Sequence, residues 1–249
     1  KIEKRFSKND DIAAFIMESG AQMAGGVIIY PKNFQSKISK LCKKYNILFV
    51  LDEIATGFGR LGSMVQYQEQ QSTPDIVAYG KMLTGGYLTM AATLANKKIY
   101  DSFSGEFNDW KHLFHGHTYT GNPIAAAVAN ENIQMYKKYN LIKKIQKTSK
   151  IFSKYYEEIL DIDIVGDIRH KGMLMGIELV SNKKKKKPIK TKKSINKIFF
   201  EEGKKQGIYL RTLGNIVMLV PPLSIQDNEL ELLLKRTIKT IQAAKSKII

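Results

Sequence analysis

Two residues with usable chemistry stand at the ends of short apolar runs. Ile47–Leu51 stops at Asp52 and Glu53, and Ile76–Tyr79 leads through a glycine to Lys81. Glycines crowd both places, with Gly57, Gly59 and Gly62 after the acidic pair and Gly85 and Gly86 after the lysine. Apolar runs of about four to six residues between turn signals, alternating with helix-like segments, read as buried parallel strands. Ligands of open parallel sheets sit beyond the carboxyl ends of the strands, which puts Asp52 and Lys81 at one site. A carboxylate and an amine at adjacent strand ends suit pyridoxal phosphate, with its lysine Schiff base and its acidic pyridinium partner. A plainer alternative stands beside this one. An aspartate at a strand end caps the next turn, and most lysines are solvated.

The elements that must position these residues follow from periodicity. Ile12–Met17 predicts a strand leading to Glu18, and a helix runs from about Asn33 to Lys44 on an apolar face of Phe34, Ile38 and Leu41. With Ile47–Leu51 they form a βαβ unit of right-handed crossover. Ser63–Gln71 reads as a short helix or irregular chain, Met90–Leu94 as a further strand and Ile99–Phe103 as a short helix. Ser104–Leu113 reads as a surface loop, and Phe114–Pro123 is dense in turn residues. Pro123 opens an alanine-rich helix whose small side chains on several faces predict close packing all round. Beyond it, Leu141–Leu160 predicts one long lysine-rich helix leading into a second domain. A polar turn, a strand at Met173–Val180, a helix at Ser194–Lys205 and strands at Ile208–Arg211 and Ile216–Val220 come next. A closing helix runs from Asp227 to about Lys245 on Leu230, Leu233, Leu234, Ile238 and Ile241. The small domain is therefore expected to carry two or three short antiparallel strands with covering helices.

Composition narrows the function classes. The 249 residues can hold a full core or two unequal domains, and 43% hydrophobic with 25% charged is ordinary for a globular protein. No segment approaches the roughly 18 uninterrupted apolar residues of a membrane span. Cys42 is the single cysteine, so no disulfide framework or metal-ligand cluster can be built on it. Its neighbours Ile38 and Leu41 predict a buried thiol, and the usage fits a reducing, cytoplasmic compartment. The net charge of +17 raises nucleic-acid binding. The excess is mostly lysine spread over helix surfaces, and the run Lys183–Lys187, continuing into Lys190, Lys192 and Lys193, has no interleaved aromatics for base stacking. It reads as a solvated loop. The first residues carry neither an initiator methionine nor a targeting signal, so the chain is expected to begin in mid-domain.

Three stretches, LDEIATGFGRLG at 51–62, PDIVAYGKMLTGG at 74–86 and HGHTYTGNP at 115–123, occur in one order and closely resemble the class III pyridoxal-phosphate aminotransferases. The resemblance implies the α/β architecture of the aspartate aminotransferase-like fold type I. Residues 1–140 would be the C-terminal part of the cofactor-binding large domain, and 141–249 the small domain with its linking helix. Family members are longer, so the matching region is their C-terminal part. The early phosphate loop and the aromatic residue that stacks on the pyridine ring lie upstream of it.

The same resemblance assigns roles. Lys81 would form the internal aldimine with pyridoxal 5′-phosphate and then act as general base and acid, and Asp52 would pair with the pyridinium nitrogen. Thr118 would bind the cofactor phosphate from the neighbouring subunit, so that a homodimer shares its sites. His117, which flanks it, and Gln22 are placed with it as cofactor-binding. His115 and His117 lack a third partner for a metal. Arg211 would clamp the substrate carboxylate, with Gly116, Leu213 and Met218 around the substrate. Arg60 and Glu18 are expected to be structural or gating groups. One departure is Ser19, because the family usually has Glu-Pro where this chain has Glu18-Ser19. Ala55 stands where the ornithine, acetylornithine and 4-aminobutyrate enzymes typically carry glutamine. With LTMAATLA and GHTYTGNP, it resembles the biotin-synthesis branch, which implies S-adenosylmethionine as amino donor and 8-amino-7-oxononanoate as acceptor. The alternatives are another class III aminotransferase acting on an omega-amino acid, diamine, ornithine or 4-aminobutyrate, or a non-catalytic basic binding protein retaining the fold.

Overall fold

The computed structural model describes residues 1–248. It divides the chain into two units. The first comprises Lys1–Gly20, Tyr30–Phe58 and Ser63–Leu141, and the second Ala21–Ile29, Gly59–Gly62 and Ile142–Ile249.

The first unit is built on a four-stranded sheet in the order Ala14–Glu18, Leu48–Asp52, Ile76–Tyr79, Ala92–Ala95. The first three strands are parallel and the last is antiparallel, and the helix Phe34–Lys44 connects the first two. Phe49 and Leu51 are buried while Leu48, Val50 and Asp52 are half-buried, so side-chain alternation gives this strand a deeper face. The helix sets Ile38 and Cys42 against the sheet, with Phe34 and Leu41 half-buried at its margin. Ser63–Gln71 yields one short helix, Gln66–Glu69. Pro123–Lys138 is helical as expected, capped by the Asn122 side chain, which accepts from the N–H groups of Ile124 and Ala125. Its packing is not all-round: Ala125, Ala129 and Tyr136 are buried, whereas Ile124 and Met135 are exposed on a face that this unit does not cover.

The second unit carries a five-stranded antiparallel sheet in the order Arg211–Leu213, Ile216–Leu219, Leu174–Asn182, Val165–Lys171, with Lys187–Pro188 pairing the far end of Leu174–Asn182. Val165–Lys171 stands where the sequence predicts a polar turn. A register shift between Val165 and Asp167 interrupts the alternation that would have marked it as a strand. The predicted long helix over Leu141–Leu160 is three pieces, Leu141–Ser149, Ile151–Lys154 and Tyr156–Leu160. Tightened three-residue bonds break it, from Lys150 N–H to the Lys147 carbonyl and from Tyr155 N–H to the Phe152 carbonyl, and the Ser149 hydroxyl donates to the Gln146 carbonyl. The closing helix, Asp227–Ile248, buries Leu230, Leu234, Ile238 and Ile241 as predicted, with Leu233 half-buried. Ala21, Val27, Leu61, Leu174 and Ile216 form one buried cluster, which explains why two early segments belong to this unit. The lysines of 183–187 are exposed. Among the described residues, no helix is long and apolar enough to cross a membrane.

Candidate active site

Asp52 is the last residue of its strand, half-buried, with its backbone in register with Glu18 on one side and Ala78 on the other. One carboxylate oxygen, Oδ1, accepts the Ile54 N–H at 2.8 Å, which fixes the side chain and leaves Oδ2 to meet a ligand. The plainer capping role is thus fulfilled as well. Lys81 follows the neighbouring strand, three residues beyond the Ala78 that faces Asp52. Gly80 between them is extended, at φ −170° and ψ −155°, and a Cβ there would stand 3.2 Å from Ile54 Cγ2. Lys81 has φ +45°, a left-handed conformation that costs a non-glycine residue on the order of 1 kcal/mol or more. Such strain persists only where surroundings impose it. Here the Asn132 side chain donates to the carbonyls of Met82 (2.7 Å) and Leu83 (3.1 Å), pinning the turn that follows the lysine. The Lys81 side chain is exposed, and its amine has no hydrogen bond or ion pair among the described residues.

Behind Asp52 lies a polar arrangement that sequence reasoning did not single out. Glu53 is fully buried, and its carboxylate accepts the N–H groups of Gln66 (2.9 Å) and Tyr67 (2.6 Å). Burial raises its pKa above the usual carboxylate value, partly offset by those donors and the Ser19 hydroxyl. Ser19 is also fully buried, and its N–H donates to the Asp52 carbonyl at 2.9 Å. Gln35 and Ser72 extend the set, Gln35 Nε2 donating to both serine hydroxyls. Nearby, the Tyr136 hydroxyl donates to the Phe58 carbonyl at 2.7 Å, and the Phe58 ring meets those of Tyr79 and Tyr136. The Tyr79 phenol is raised by burial and by the Glu53 charge, and Tyr30 is pushed up to about 12 by burial and by Glu18. An amide in mid-helix is the signal that could have found Asn132; Glu53, directly after another carboxylate, offers none.

The remaining predicted residues are distributed. Gly116, His117 and Thr118 lie in the first unit, on the exposed turn before the Pro123 helix, where His117 Nδ1 accepts the Tyr119 N–H at 3.3 Å. Arg211, Leu213 and Met218 lie in the second unit on one hairpin, with Arg211 paired to Met218 and Leu213 to Ile216. Arg211 opens its strand instead of closing it, because Ile208 N–H returns to the Gly203 carbonyl (2.9 Å) and keeps 208–210 out of the sheet. Gln22 is exposed in the second unit, folded over Gly25. Arg60 is buried there and donates to the carbonyls of Met173 (2.9 Å) and Pro221 (2.7 Å), the work of a structural tie.

Comparison with known proteins names the fold. The model of the family "Aminotransferase class-III" matches residues 2–241. This chain belongs to the class III aminotransferases. It is 41% identical over 228 residues, 92% of its length, to the adenosylmethionine-8-amino-7-oxononanoate aminotransferase of Staphylococcus aureus. The crystal structure of the enzyme of that name from Methanocaldococcus jannaschii superposes with a TM-score of 0.87 at 39% identity, covering 92% of this chain. The omega transaminase of Pseudomonas jessenii, solved in complex with PMP, gives 0.91 at 29% identity over 99% of it. The chain spans about half the length of these relatives: 50%, 53% and 55% in turn. The expected α/β fold of type I holds. An available amine and a carboxylate with one oxygen unpartnered among the described residues, at the ends of adjacent parallel strands, also fit the pyridoxal-type cofactor of the class.

Proposed function

We propose that the full-length protein is a pyridoxal 5′-phosphate-dependent aminotransferase that moves the amino group of S-adenosylmethionine to 8-amino-7-oxononanoate, giving 7,8-diaminononanoate for biotin synthesis. The observation that carries the reaction class is the pair Asp52 and Lys81 at adjacent parallel strand ends, the lysine held at φ +45° with its amine exposed. The substrates rest on relatives at 41% and 40% identity that bear the corresponding name, and on Ala55.

Bound there, the cofactor supplies an electron sink for the substrate's Cα electrons. This chain's residues do the rest. Lys81 Nζ would hold the cofactor and carry the proton from and to the substrate carbon. Asp52 Oδ2 keeps a proton on the ring nitrogen. Thr118, contributed by the partner protomer of a homodimer, holds the phosphate, with His117 beside it and Gln22 near the ring. Arg211 clamps a monocarboxylate, and Gly116, Leu213 and Met218 shape the space around it. The same reading assigns 1–140 to the large domain and 141–249 to the small one, and places the protein in the cytoplasm.

The test is spectroscopic. The full-length protein with pyridoxal 5′-phosphate should show a visible absorption band that changes on adding S-adenosylmethionine. A change only with ornithine, 4-aminobutyrate or a diamine would move the substrate assignment elsewhere in the class. Absence of a band, together with salt-sensitive nucleic-acid binding, would favour a basic binding protein.

A further inference from the structure

We propose that Glu53 is a positioning residue for Asp52, acting with Ser19 through the backbone on either side of it; this rests on the aminotransferase reading above. Three hydrogen bonds converge on the Asp52 peptide segment. Ser19 N–H donates to its carbonyl (2.9 Å), Ile54 N–H donates to its Oδ1 (2.8 Å), and the next residue's N–H, that of Glu53, donates to the Ala78 carbonyl (2.9 Å). The direction in which Asp52 Oδ2 points is therefore set by where the chain at Ser19 and at Glu53–Ile54 is anchored.

Glu53 is the anchor. Glu53 follows the last strand residue and is fully buried, so its side chain lies in the interior. There the Gln66 and Tyr67 N–H groups and the Ser19 hydroxyl surround its carboxylate. The Ser19 hydroxyl accepts from Gln35 Nε2 (3.0 Å) and has one proton to give, either to the Glu53 carboxylate or, at 3.3 Å, to Gln35 Oε1. Gln35 Oε1 also takes the Gly20 N–H (2.8 Å), and Gln35 Nε2 reaches Ser72 (2.9 Å). Ser19, Gln35 and Glu53 have no exposed surface. A buried carboxylate is costly, and it is retained where its donors fix a geometry. A proline at position 19 could donate neither the N–H nor the hydroxyl. The serine thus couples Glu53 directly to the Asp52 carbonyl in this chain.

The experiment compares full-length holoenzyme with its Glu53→Gln, Ser19→Ala and Ser19→Thr variants. Measured are the pH midpoint of the bound cofactor's visible band, the cofactor dissociation constant, and kcat and KM for the donor. Glu53→Gln should move the midpoint by about one unit and lower kcat roughly 10-fold or more with KM for the donor little changed. Ser19→Ala should shift the midpoint in the same direction by less, and Ser19→Thr should restore it. If Glu53→Gln fails to fold, the serine pair decides. Midpoints and kcat equal to the parent's, alongside a lowered melting temperature, would reduce the network to a structural role and overturn the proposal. A parent protein with no cofactor band would instead remove the aminotransferase reading, and this inference with it.

Discussion

At the scale of single residues, the chemistry is concentrated in a few groups with distinguishable surroundings. Lys81→Ala should abolish the visible cofactor band and lower turnover by roughly 10³-fold or more, since covalent attachment and proton transfer both need the amine. Asp52→Asn should keep the band but cut kcat on the order of 10²-fold, measured by steady-state transamination. Cys42 offers a contrasting case. Burial and the nearby Asp75 charge push its thiol up to about 11. It should therefore resist a thiol reagent at pH 8 in the native protein and react promptly after denaturation. Asp52 and Lys81 were legible from sequence because polar residues ended apolar runs. Glu53 and Ser19 were not, because nothing in a linear string distinguishes a buried hydrogen-bonded carboxylate from a solvated one.

Elements are where the sequence pattern and the structure part company. Regular periodicity predicted the helices Phe34–Lys44, Ile195–Lys205 and Asp227–Ile248 well, and the strand Ile76–Tyr79 to the residue. Val165–Lys171 was missed and Leu141–Leu160 was over-joined, in both cases because a local backbone irregularity interrupts a period that composition cannot reveal. Caps and turns carry the testable energetics. Asn122→Ala should cost about 1 kcal/mol, read from denaturant unfolding, because two N–H groups of the Pro123 helix lose their acceptor. Gly172 turns the Val165–Asn182 hairpin at φ +58°, and a Cβ there would lie 2.4 Å from the Leu61 carbonyl carbon. Gly172→Ala should therefore cost ~2 kcal/mol or more, well beyond the usual penalty of a glycine substitution.

For the whole molecule, pH and surface both leave signatures. His170 is packed against Phe152 with Nε2 2.8 Å from the Gly172 carbonyl, and burial lowers its pKa below the ordinary histidine value. The unfolded chain takes up that proton first, so stability is present above about pH 6.5 and is lost as pH falls from there through the folded value. Urea midpoints measured from pH 7.5 down to 5 should decline, and His170→Asn should flatten the decline. The first unit also exposes Tyr87, Tyr100, Phe103, Phe107, Trp110, Leu113, Phe114 and Tyr119. Trp110 is the one tryptophan of these 249 residues, so the part of the emission lost in Trp110→Phe reports on this surface. If the proposed homodimer covers it, emission should shift to the blue and resist iodide quenching in the assembled full-length protein. Red, quenchable emission from a dimer would place the interface elsewhere.

By itself the sequence determined the class. Apolar runs ending in Asp52 and Lys81, with the ordered motifs around them, are local properties that hydrophobic burial and turn chemistry turn into two adjacent strand ends. Tertiary structure decided what those ends are made of. It set Lys81 in a left-handed turn held by Asn132, seated Glu53 among Ser19, Gln66 and Tyr67, and gathered Ala21, Val27 and Leu61 into the core of the second unit. Each of those depends on contacts between residues distant along the chain, whose geometry exists only once both have been brought out of water together.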